Sequence, residues 1–275
     1  MFNKFFFLVI FLLDFSILSS QEIISSSKED EPIEIYADNG IEWHKNEKKY
    51  IAIGNAKVIS GSLTLESRII EAFYEENSNS EMDIKKVIAF KDVKISDEKI
   101  RITGGKTAEY NIKKDYFQIV GNKIILTSES NILNAKKKME YWRSKNVAVA
   151  TGDAVAIKKD EFEIKGEKLV WHLEKIGDET KVKKIMGFEN VSIQTNNEVA
   201  FSDKALYNKK KEICKLFGNV RLQKGDSFLL GEYAEVDLKS GISKLMPAPK
   251  KSNFAEDRVK ALINKEGVET NEGSN

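Results

Sequence analysis

The chain has 275 residues, and its 44 Lys and Arg against 43 Asp and Glu give a net charge of +1 at pH 7. This balance argues against a nucleic-acid-binding protein, which needs a basic excess on one face. A hydrophobic fraction of 41% is enough for a folded core and argues against wholesale disorder. Only three prolines occur, Pro32, Pro247 and Pro249, so the residues between the first two keep every backbone donor. Such a stretch favours long ladders of strands.

Residues 1–20 have the pattern of a cleaved export signal. Lys4 precedes a short apolar run from Phe5 to Leu13, and small residues follow at Ser19 and Ser20. The run falls short of the ~20 apolar residues that cross a bilayer, although an uncleaved membrane anchor remains the alternative. Residues 21–30, rich in Ser, Glu and Lys, are predicted to be a flexible lead-in.

An internal repeat fills the middle of the chain. Each unit has an Asn or Asp anchor, followed by a short alternating strand. The anchors are Asn55, Asp92, Asn122, Asp153, Asn190 and Asn219, with gaps of 37, 30, 31, 37 and 29 residues. A second landmark, mostly aromatic, lies 17 to 19 residues after each anchor: Tyr74, Tyr110, Tyr141, Trp171, Tyr207 and Val236. Repeats of this kind predict a stacked architecture.

Each unit alternates apolar and polar residues with a period of two, which is typical of half-buried strands. We therefore predict an all-β, repeat-built domain over residues 31–246. Its inward face is expected to carry a row of aliphatic and aromatic side chains. These would either close into a dry core or line an apolar groove that accepts acyl chains. The predicted lining residues are Ile33, Ile35, Ile51, Ile53, Val93, Ile95, Phe117, Ile119, Phe162 and Ile164.

No combination of residues predicts catalysis, a metal site or a cofactor. The two histidines, His44 and His172, are far apart, and no close His/Cys/carboxylate cluster has metal-ligand spacing. The stretch 104–107 (GGKT) lacks the rest of a phosphate-binding loop and is interpreted as a strand junction. The single cysteine, Cys214, is predicted to be a small buried hydrophobe. An enzyme is therefore the least favoured class.

The C-terminal residues differ from the repeat. After Met246 the chain continues into Pro247-Ala248-Pro249, and the rest is mostly polar. Residues 247–275 are predicted to be a polar, disordered tail. A short helix from Phe254 to Ile263 is the one element considered within it.

The motifs resemble the lipopolysaccharide-transport protein A family (LptA, OstA-like). The opening of that family is similar to residues 31–38 (EPIEIYAD), 50–58 (YIAIGNAKV) and 61–65 (GSLTL). Later segments of it are similar to residues 115–122 (DYFQIVGN) and 164–171 (IKGEKLVW). The resemblance covers roughly residues 32–173, and the units beyond extend past the usual length of the family.

The resemblance implies a periplasmic, slightly open V-shaped β-jelly-roll that carries lipopolysaccharide from the inner to the outer membrane. Its acyl chains would lie inside, with Ile33 and Ile35 at the family's N-terminal lipid contacts. The expected partners are lipopolysaccharide, the inner-membrane and outer-membrane jelly-roll components of the bridge, and further copies joined head to tail. Two alternatives remain: the membrane-anchored sister jelly roll of the same pathway, and a structural or adhesive β-solenoid that binds no lipid.

Overall fold

The computed structural model describes residues 33–76, 82–129, 131–176, 179–195, 198–237, 240, 242–247 and 259–263. The predicted export signal and lead-in lie outside these residues. The first ten strands are β1 (Ile33–Tyr36), β2 (Ile41–His44), β3 (Lys49–Ser60), β4 (Leu63–Glu76), β5 (Met82–Ser96), β6 (Arg101–Asn111), β7 (Tyr116–Val120), β8 (Ile124–Thr127), β9 (Asn131–Ala135) and β10 (Lys138–Trp142).

One turn of 3-10 helix, Arg143–Lys145, separates β10 from the remaining strands. These are β11 (Val147–Lys158), β12 (Phe162–Ile176), β13 (Glu179–Gln194), β14 (Val199–Asn208), β15 (Ile213–Lys224), β16 (Ser227–Asp237), β17 (Ile242–Met246) and β18 (Lys260–Leu262). All eighteen belong to a single antiparallel sheet.

The sheet is folded over along a crease that crosses every long strand near its middle. Four pairs of short strands, β1 with β2, β7 with β8, β9 with β10 and β17 with β18, each fill one level of the stack, so the described strands build fourteen layers. One half of each layer belongs to a first wall, which contains β2, β7, β10 and β17. The other half belongs to a second wall, which contains β1, β8, β9 and β18. Fourteen layers are separated by thirteen spacings, and at roughly 4.8 Å a spacing the stack is about 60 Å long.

The repeat anchors form the crease. Asn55, Asp92, Asp153, Asn190 and Asn219 all have positive φ, between 43° and 55°, and each lies where the ladder register shifts. Asn and Asp tolerate this left-handed conformation better than most residues, which explains the residue type at the anchors. Asn122 marks the break between β7 and β8 instead.

Polar contacts join neighbouring layers along the outside of the crease. Asn55 Nδ2 donates to Asp38 Oδ2 at 2.7 Å, and Arg68 Nε donates to Asp92 Oδ2 at 2.6 Å. Gly104, within the predicted strand junction, lies in β6 with a φ of 80°. A Cβ atom there would lie 1.8 Å from the carbonyl oxygen of Lys123, so the close approach of two layers requires glycine.

The structure confirms the predicted all-β, repeat-built and slightly open β-jelly-roll. It also differs from the sequence prediction at the C terminus. Lys260–Leu262 form β18 and pair with β16, so the predicted disordered tail and helix are wrong for these three residues. The first half of that proposed helix, residues 254–258, lies outside the described residues.

The fourteen layers contain an internal duplication. Asn55 and Asp153 occupy equivalent bends 98 residues apart, and so do Asp92 and Asn190. The long strands β4 and β5 of the first copy correspond to β12 and β13 of the second. The layer formed by β9 and β10 joins the copies, so the two share one uninterrupted sheet.

Candidate functional site

Three rows of paired residues run along the inside of the stack, with one residue from each layer. The second-wall row comprises Ile35, Val58, Leu65, Ile95, Ile102, Leu126, Leu133, Ala156, Ile164, Ile193, Ala200, Leu222, Leu229 and Ala261. The crease row of the first wall comprises Ile41, Ala52, Ile70, Ala89, Ala108, Ile119, Met139, Ala150, Leu169, Gly187, Ala205, Leu216, Ala234 and Leu245.

The third row, the lip row, also belongs to the first wall but lies further from the crease. It comprises Trp43, Tyr50, Ala72, Val87, Tyr110, Phe117, Tyr141, Ala148, Trp171, Ile185, Tyr207, Cys214, Val236 and Ser243.

Burial along the rows shows that the centre of the stack is closed. In the second-wall row, exposure falls to 0% at Leu126 and 1% at Leu133, where the two copies meet. Both ends of the same row are more exposed, at Ile35 and at Leu229. Because each layer is covered by its two neighbours, the interior is filled by the protein's own side chains in the middle and opens only towards the ends.

An apolar chamber occupies the N-terminal end, and its volume is about 600 Å³. Ile35 and Val58 line it from the second wall, and Ile41, Ala52 and Ile70 line it from the first wall. Its volume lies within the range of roughly 300 to 1,000 Å³ that is typical of ligand sites. Further lining residues are Ile33, Tyr50, Ala72, Met82, Ile84, Val87 and Ile112.

An aromatic cluster supports the lip of this N-terminal chamber. The ring of Tyr50 stacks on Trp43 at a centroid distance of 5.7 Å and lies 5.4 Å from the ring of Tyr74. Trp43 Nε1 donates to the hydroxyl of Tyr74 at 2.9 Å, and the Tyr50 hydroxyl lies 3.1 Å from the sulfur of Met82. These contacts hold the Tyr50 side chain at the lip.

Charges at the mouth of the N-terminal chamber are balanced. Lys85 Nζ lies 3.7 Å from Asp83 and 4.0 Å from Glu75, and Lys113 is the fourth charged residue of the lining. Two acids therefore face two cations, and this mouth has no excess of positive charge for an anionic group. Binding in the chamber would depend mainly on apolar contact.

A smaller chamber of about 240 Å³ lies at the C-terminal end. Ala200, Leu222 and Leu229 line it from the second wall, and Cys214 and Val236 line it from the first wall. The predicted burial of Cys214 is confirmed, since the residue is 6% exposed. Burial raises the pKa of this thiol to about 12.

The size of the lip-row residues follows the position of the two chambers. Strands that run from the second wall to the first contribute Tyr110, Tyr141, Trp171 and Tyr207 to the central layers, and three of these four are at most 5% exposed. The corresponding strands near the ends, β4 and β16, contribute Ala72 and Val236 instead, which line the two chambers. Trp43 of the end strand β2 is aromatic but 48% exposed and stacks on Tyr50 at the lip. Five of the six repeat landmarks thus lie in the lip row. In the first unit Ala72 pairs with Tyr50 and Val87 and therefore occupies the row, and Tyr74 lies two residues beyond it.

The structure brings some of the predicted lining residues together at the N-terminal chamber. Ile33 and Ile35 line it directly, and Ile33 is 39% exposed. Ile95, Phe117, Ile119 and Ile164 lie in the interior rows and are at most 8% exposed, so they form core in this conformation. Val93 is fully buried beside the crease, and Phe162 is half-buried against the core.

The assignment of Ile51 and Ile53 to the inward face is wrong. Between them Ala52 is 4% exposed and lines the N-terminal chamber, so alternation puts both isoleucines on the outer face of the first wall. Sequence reasoning preferred the larger side chains and therefore chose the wrong face of this strand.

Other chamber residues were missed in the sequence: Tyr50, Ala52, Val58, Ile70, Ala72, Ile84 and Ile112. The alternation of apolar and polar residues in β3 and β4 could have identified several of them. Small residues such as Ala52 and Ala72, however, contribute little to a hydrophobic pattern. The chamber also depends on which strands pair, which the sequence does not state.

The described residues contain no group of His, Cys, Asp and Glu that could hold a metal ion. They also contain no helix long and apolar enough to cross a membrane. His44 lies in an edge strand beside Glu42, and His172 lies on the outer face of β12 beside Lys184.

These features define a class of protein: an all-β, folded-over antiparallel sheet with an apolar chamber at each end. The family described as "LptA/(LptD N-terminal domain) LPS transport protein" matches the chain twice, over residues 34–141 and 134–242. Because the two matches together cover most of its length, the chain belongs to this family of lipopolysaccharide-transport proteins. The two matched segments correspond to the two copies of the internal duplication.

Among solved structures, one similar protein is LptH of Pseudomonas aeruginosa, the LptA-homologous periplasmic component of a lipopolysaccharide transport device. The sequence identity is 14%, and the match covers 49% of this chain and 95% of LptH with a TM-score of 0.43. No curated protein matches the chain.

Proposed function

We propose that this protein is a periplasmic carrier that binds the acyl chains of lipopolysaccharide and passes the lipid from the inner towards the outer membrane. The N-terminal chamber is the site at which the acyl chains enter. No covalent chemistry is needed, because transfer requires only an apolar environment that replaces water and then releases the cargo.

The observation that carries this proposal is the apolar N-terminal chamber of about 600 Å³ between the two walls of the sheet. Each methylene transferred from water into such a site gains about 0.8 kcal/mol, so a few methylenes give useful affinity without blocking release. Membership of a lipopolysaccharide-transport family makes an acylated lipid the natural cargo.

The ends of the sheet support a bridge made of several jelly rolls. Among the described residues, β1 and β2 pair only with β3, and β17 and β18 pair only with β16. These edges expose apolar side chains, including Ile41 at 49% and Ile242 at 55%. An unpaired edge with apolar side chains can accept a strand from another protein by β-augmentation.

The strand directions fit head-to-tail joining. The first layer runs from the second wall to the first wall, and the last layer runs in the opposite sense. The first layer of a following copy, or of a sister jelly roll, would therefore continue the antiparallel alternation. The second-wall row would then continue from Ala261 of one copy to Ile35 of the next.

The test is a photo-crosslinking amino acid at Ile35 in cells that make lipopolysaccharide. We expect an adduct with lipopolysaccharide, detected by its mass shift and by antibody. The matched control places the same crosslinker at Ile53, which lies in the neighbouring strand β3 at the same end of the stack but faces outward, and it should give no adduct. Normal export without any adduct at Ile35 would contradict the proposal.

The periplasmic location has its own test. The intact mass of the exported protein should correspond to a chain that starts near Gln21. A retained N-terminal segment would instead favour the membrane-anchored sister jelly roll of the same pathway.

The closed centre of the stack favours one second candidate, a structural β-solenoid without lipid. Leu126 and Leu133 are at most 1% exposed, so no continuous groove joins the two ends in this conformation. The crosslinking experiment separates the two candidates, because a scaffold would give no lipid adduct at either position.

A further inference from the structure

The C-terminal chamber is a separate cavity, made from different strands than the N-terminal one. Strands β13 to β18 form it, and Leu222 and Leu229 face Leu216 and Val236 across its interior. Between the two chambers the second-wall row is at most 5% exposed from Ile95 to Ile164. The two cavities are therefore isolated from each other in this conformation.

We propose that the C-terminal chamber is a second binding site, which holds a single aliphatic chain independently of the N-terminal chamber. One polypeptide would then bind acyl chains at two separate sites and not in one continuous groove. The inference rests on the proposed function for the chemical class of the cargo, an acylated lipid.

The lining of the chamber fits an aliphatic chain. The side chains that face its interior are aliphatic or carry a buried thiol, as in Ala200, Cys214 and Leu222. Its charged residues, Glu198 and Lys224, come from the ends of the turns β13–β14 and β15–β16 and are exposed to solvent, and Ser243 of β17 adds an exposed hydroxyl at the lip. One acid and one cation at this rim can face the head of an amphiphile, while the interior offers only apolar contact.

The chain's own final segment is a poor occupant for the chamber. Residues 264–275 contain one aliphatic residue, Val268, among charged, polar and glycine residues. Such a segment cannot replace water at an apolar surface. Phe254 is the one large apolar residue of segment 248–258, so it is the occupant that an experiment must exclude.

The size of the side chains in the lip row explains why there are two separate chambers. Aromatic residues occupy its central positions on the strands that run from the second wall to the first, and Trp171 is 2% exposed. Ala72 and Val236 leave space at the two ends, where the chambers lie. A tryptophan at either end position should therefore fill one chamber and leave the other unchanged.

The experiment uses the full exported protein and dodecanoate as the probe. Native mass spectrometry should show two dodecanoates bound to the natural protein and one bound to each of Ala72→Trp and Val236→Trp. The remaining bound dodecanoate shows that each variant is folded, since an unfolded chain would lose both. The controls Ile53→Trp and Leu230→Trp introduce the same side chain on the outer faces of the two ends and should keep two.

Cys214 reports on the C-terminal chamber alone. At a dodecanoate concentration ten times its Kd, the alkylation rate of this thiol should fall about tenfold. Ala72→Trp should keep this protection. Val236→Trp should make the alkylation rate independent of dodecanoate.

The outcomes separate the inference from the proposed function. The second site is refuted, and the carrier function stands, if three results occur together. The natural protein binds only one dodecanoate, Ala72→Trp abolishes that binding, and dodecanoate does not protect Cys214 from alkylation. If no dodecanoate binds, both fail. If Cys214 is protected without added lipid and Phe254→Ser removes that protection, the chamber belongs to the chain's own segment and the inference is overturned.

Discussion

The N-terminal chamber and the closed centre of the stack are built on the same repeat, yet the first encloses a cavity and the second is filled by side chains. In the first copy the lip row pairs Tyr50 with Ala72, and one period later it pairs Ala148 with Trp171. Each pair holds one aromatic and one small residue, but on opposite strands. Tyr50 stacks on Trp43 at the lip, whereas Trp171 lies fully inside. The volume of the interior cavity therefore depends on which of the two paired strands contributes the aromatic side chain, and not on the course of the backbone.

The difference also separates stability from function along the stack. Close packing at the centre provides the contacts that hold fourteen layers together, since no disulfide is available from a single cysteine. Among the described strands, each end layer has a neighbour on one side only and keeps exposed apolar residues, as binding requires. Substitutions at the centre should therefore affect mainly folding, and those at the ends mainly binding.

The largest effect is expected for Trp171→Ala. This change removes a 2% exposed side chain from the central interior and should lower the free energy of unfolding by about 3–5 kcal/mol. Urea denaturation monitored by circular dichroism measures it. The control Phe201→Ala removes a 40% exposed aromatic side chain from the outer face and should cost under about 1 kcal/mol. A loss below about 1 kcal/mol for Trp171→Ala would mean that the centre is not tightly packed.

A smaller loss is expected for Gly104→Ala, at the crease of the central layers. The new Cβ would meet the carbonyl oxygen of Lys123 at 1.8 Å, and the residue has a φ of 80°, so the loss should be about 2–3 kcal/mol. Gly225 also has positive φ, at 56°, but nothing lies within 4 Å of its Cβ position. Gly225→Ala should therefore cost about 1 kcal/mol in the same urea measurement. Equal losses would show that crowding of the layers does not matter at the crease.

Ile35→Asp should change stability less than either of these and should impair binding more. Ile35 lies in the end layer, where water can hydrate a new carboxylate, so the unfolding free energy should fall by under about 1 kcal/mol. The same charge in the N-terminal chamber should weaken dodecanoate binding at least about tenfold, because it puts an unpaired charge beside an acyl chain. Fluorescence titration with a labelled fatty acid measures the affinity. Normal affinity at unchanged stability would remove Ile35 from the site.

The sequence predicted the architecture more completely than the site. The anchors Asn55, Asp92 and Asn190 were recognisable because a left-handed bend needs Asn, Asp or Gly, so a backbone requirement left a mark in the sequence. Trp171 was recognisable as core because large aromatic residues at regular spacing are rarely solvent-exposed on one face of a stack.

No comparable sequence pattern identified the residues of the two chambers. Ala72 and Val236 are ordinary residues in any pattern, and their importance depends on the aromatic residues that occupy the same row elsewhere. The face of β3 was misassigned for the same reason, because Ala52 lines the interior between two larger isoleucines. The strand β18 was missed because three residues after a long connection carry no measurable periodicity.

The smallest effect concerns the two histidines, one at the N-terminal edge and one on the central outer face. A hydrogen bond to Glu42 raises the pKa of His44 above 6.5, whereas burial, with Lys184 and Lys183 nearby, lowers the pKa of His172 below 6.5. The shift at His44 therefore stabilises the folded state below about pH 6.5, and this stabilisation is lost as the pH rises through the folded pKa. The shift at His172 stabilises the folded state above about pH 6.5, and this stabilisation is lost as the pH falls through the folded pKa. NMR titration of the two imidazole rings should give His44 the higher pKa. Glu42→Gln should bring the pKa of His44 back towards 6.5 and leave the pKa of His172 unchanged. Lys184→Gln should raise the pKa of His172 and leave the pKa of His44 unchanged. A reversed order of the two pKa values would show that the hydrogen bond of the edge strand does not persist in solution.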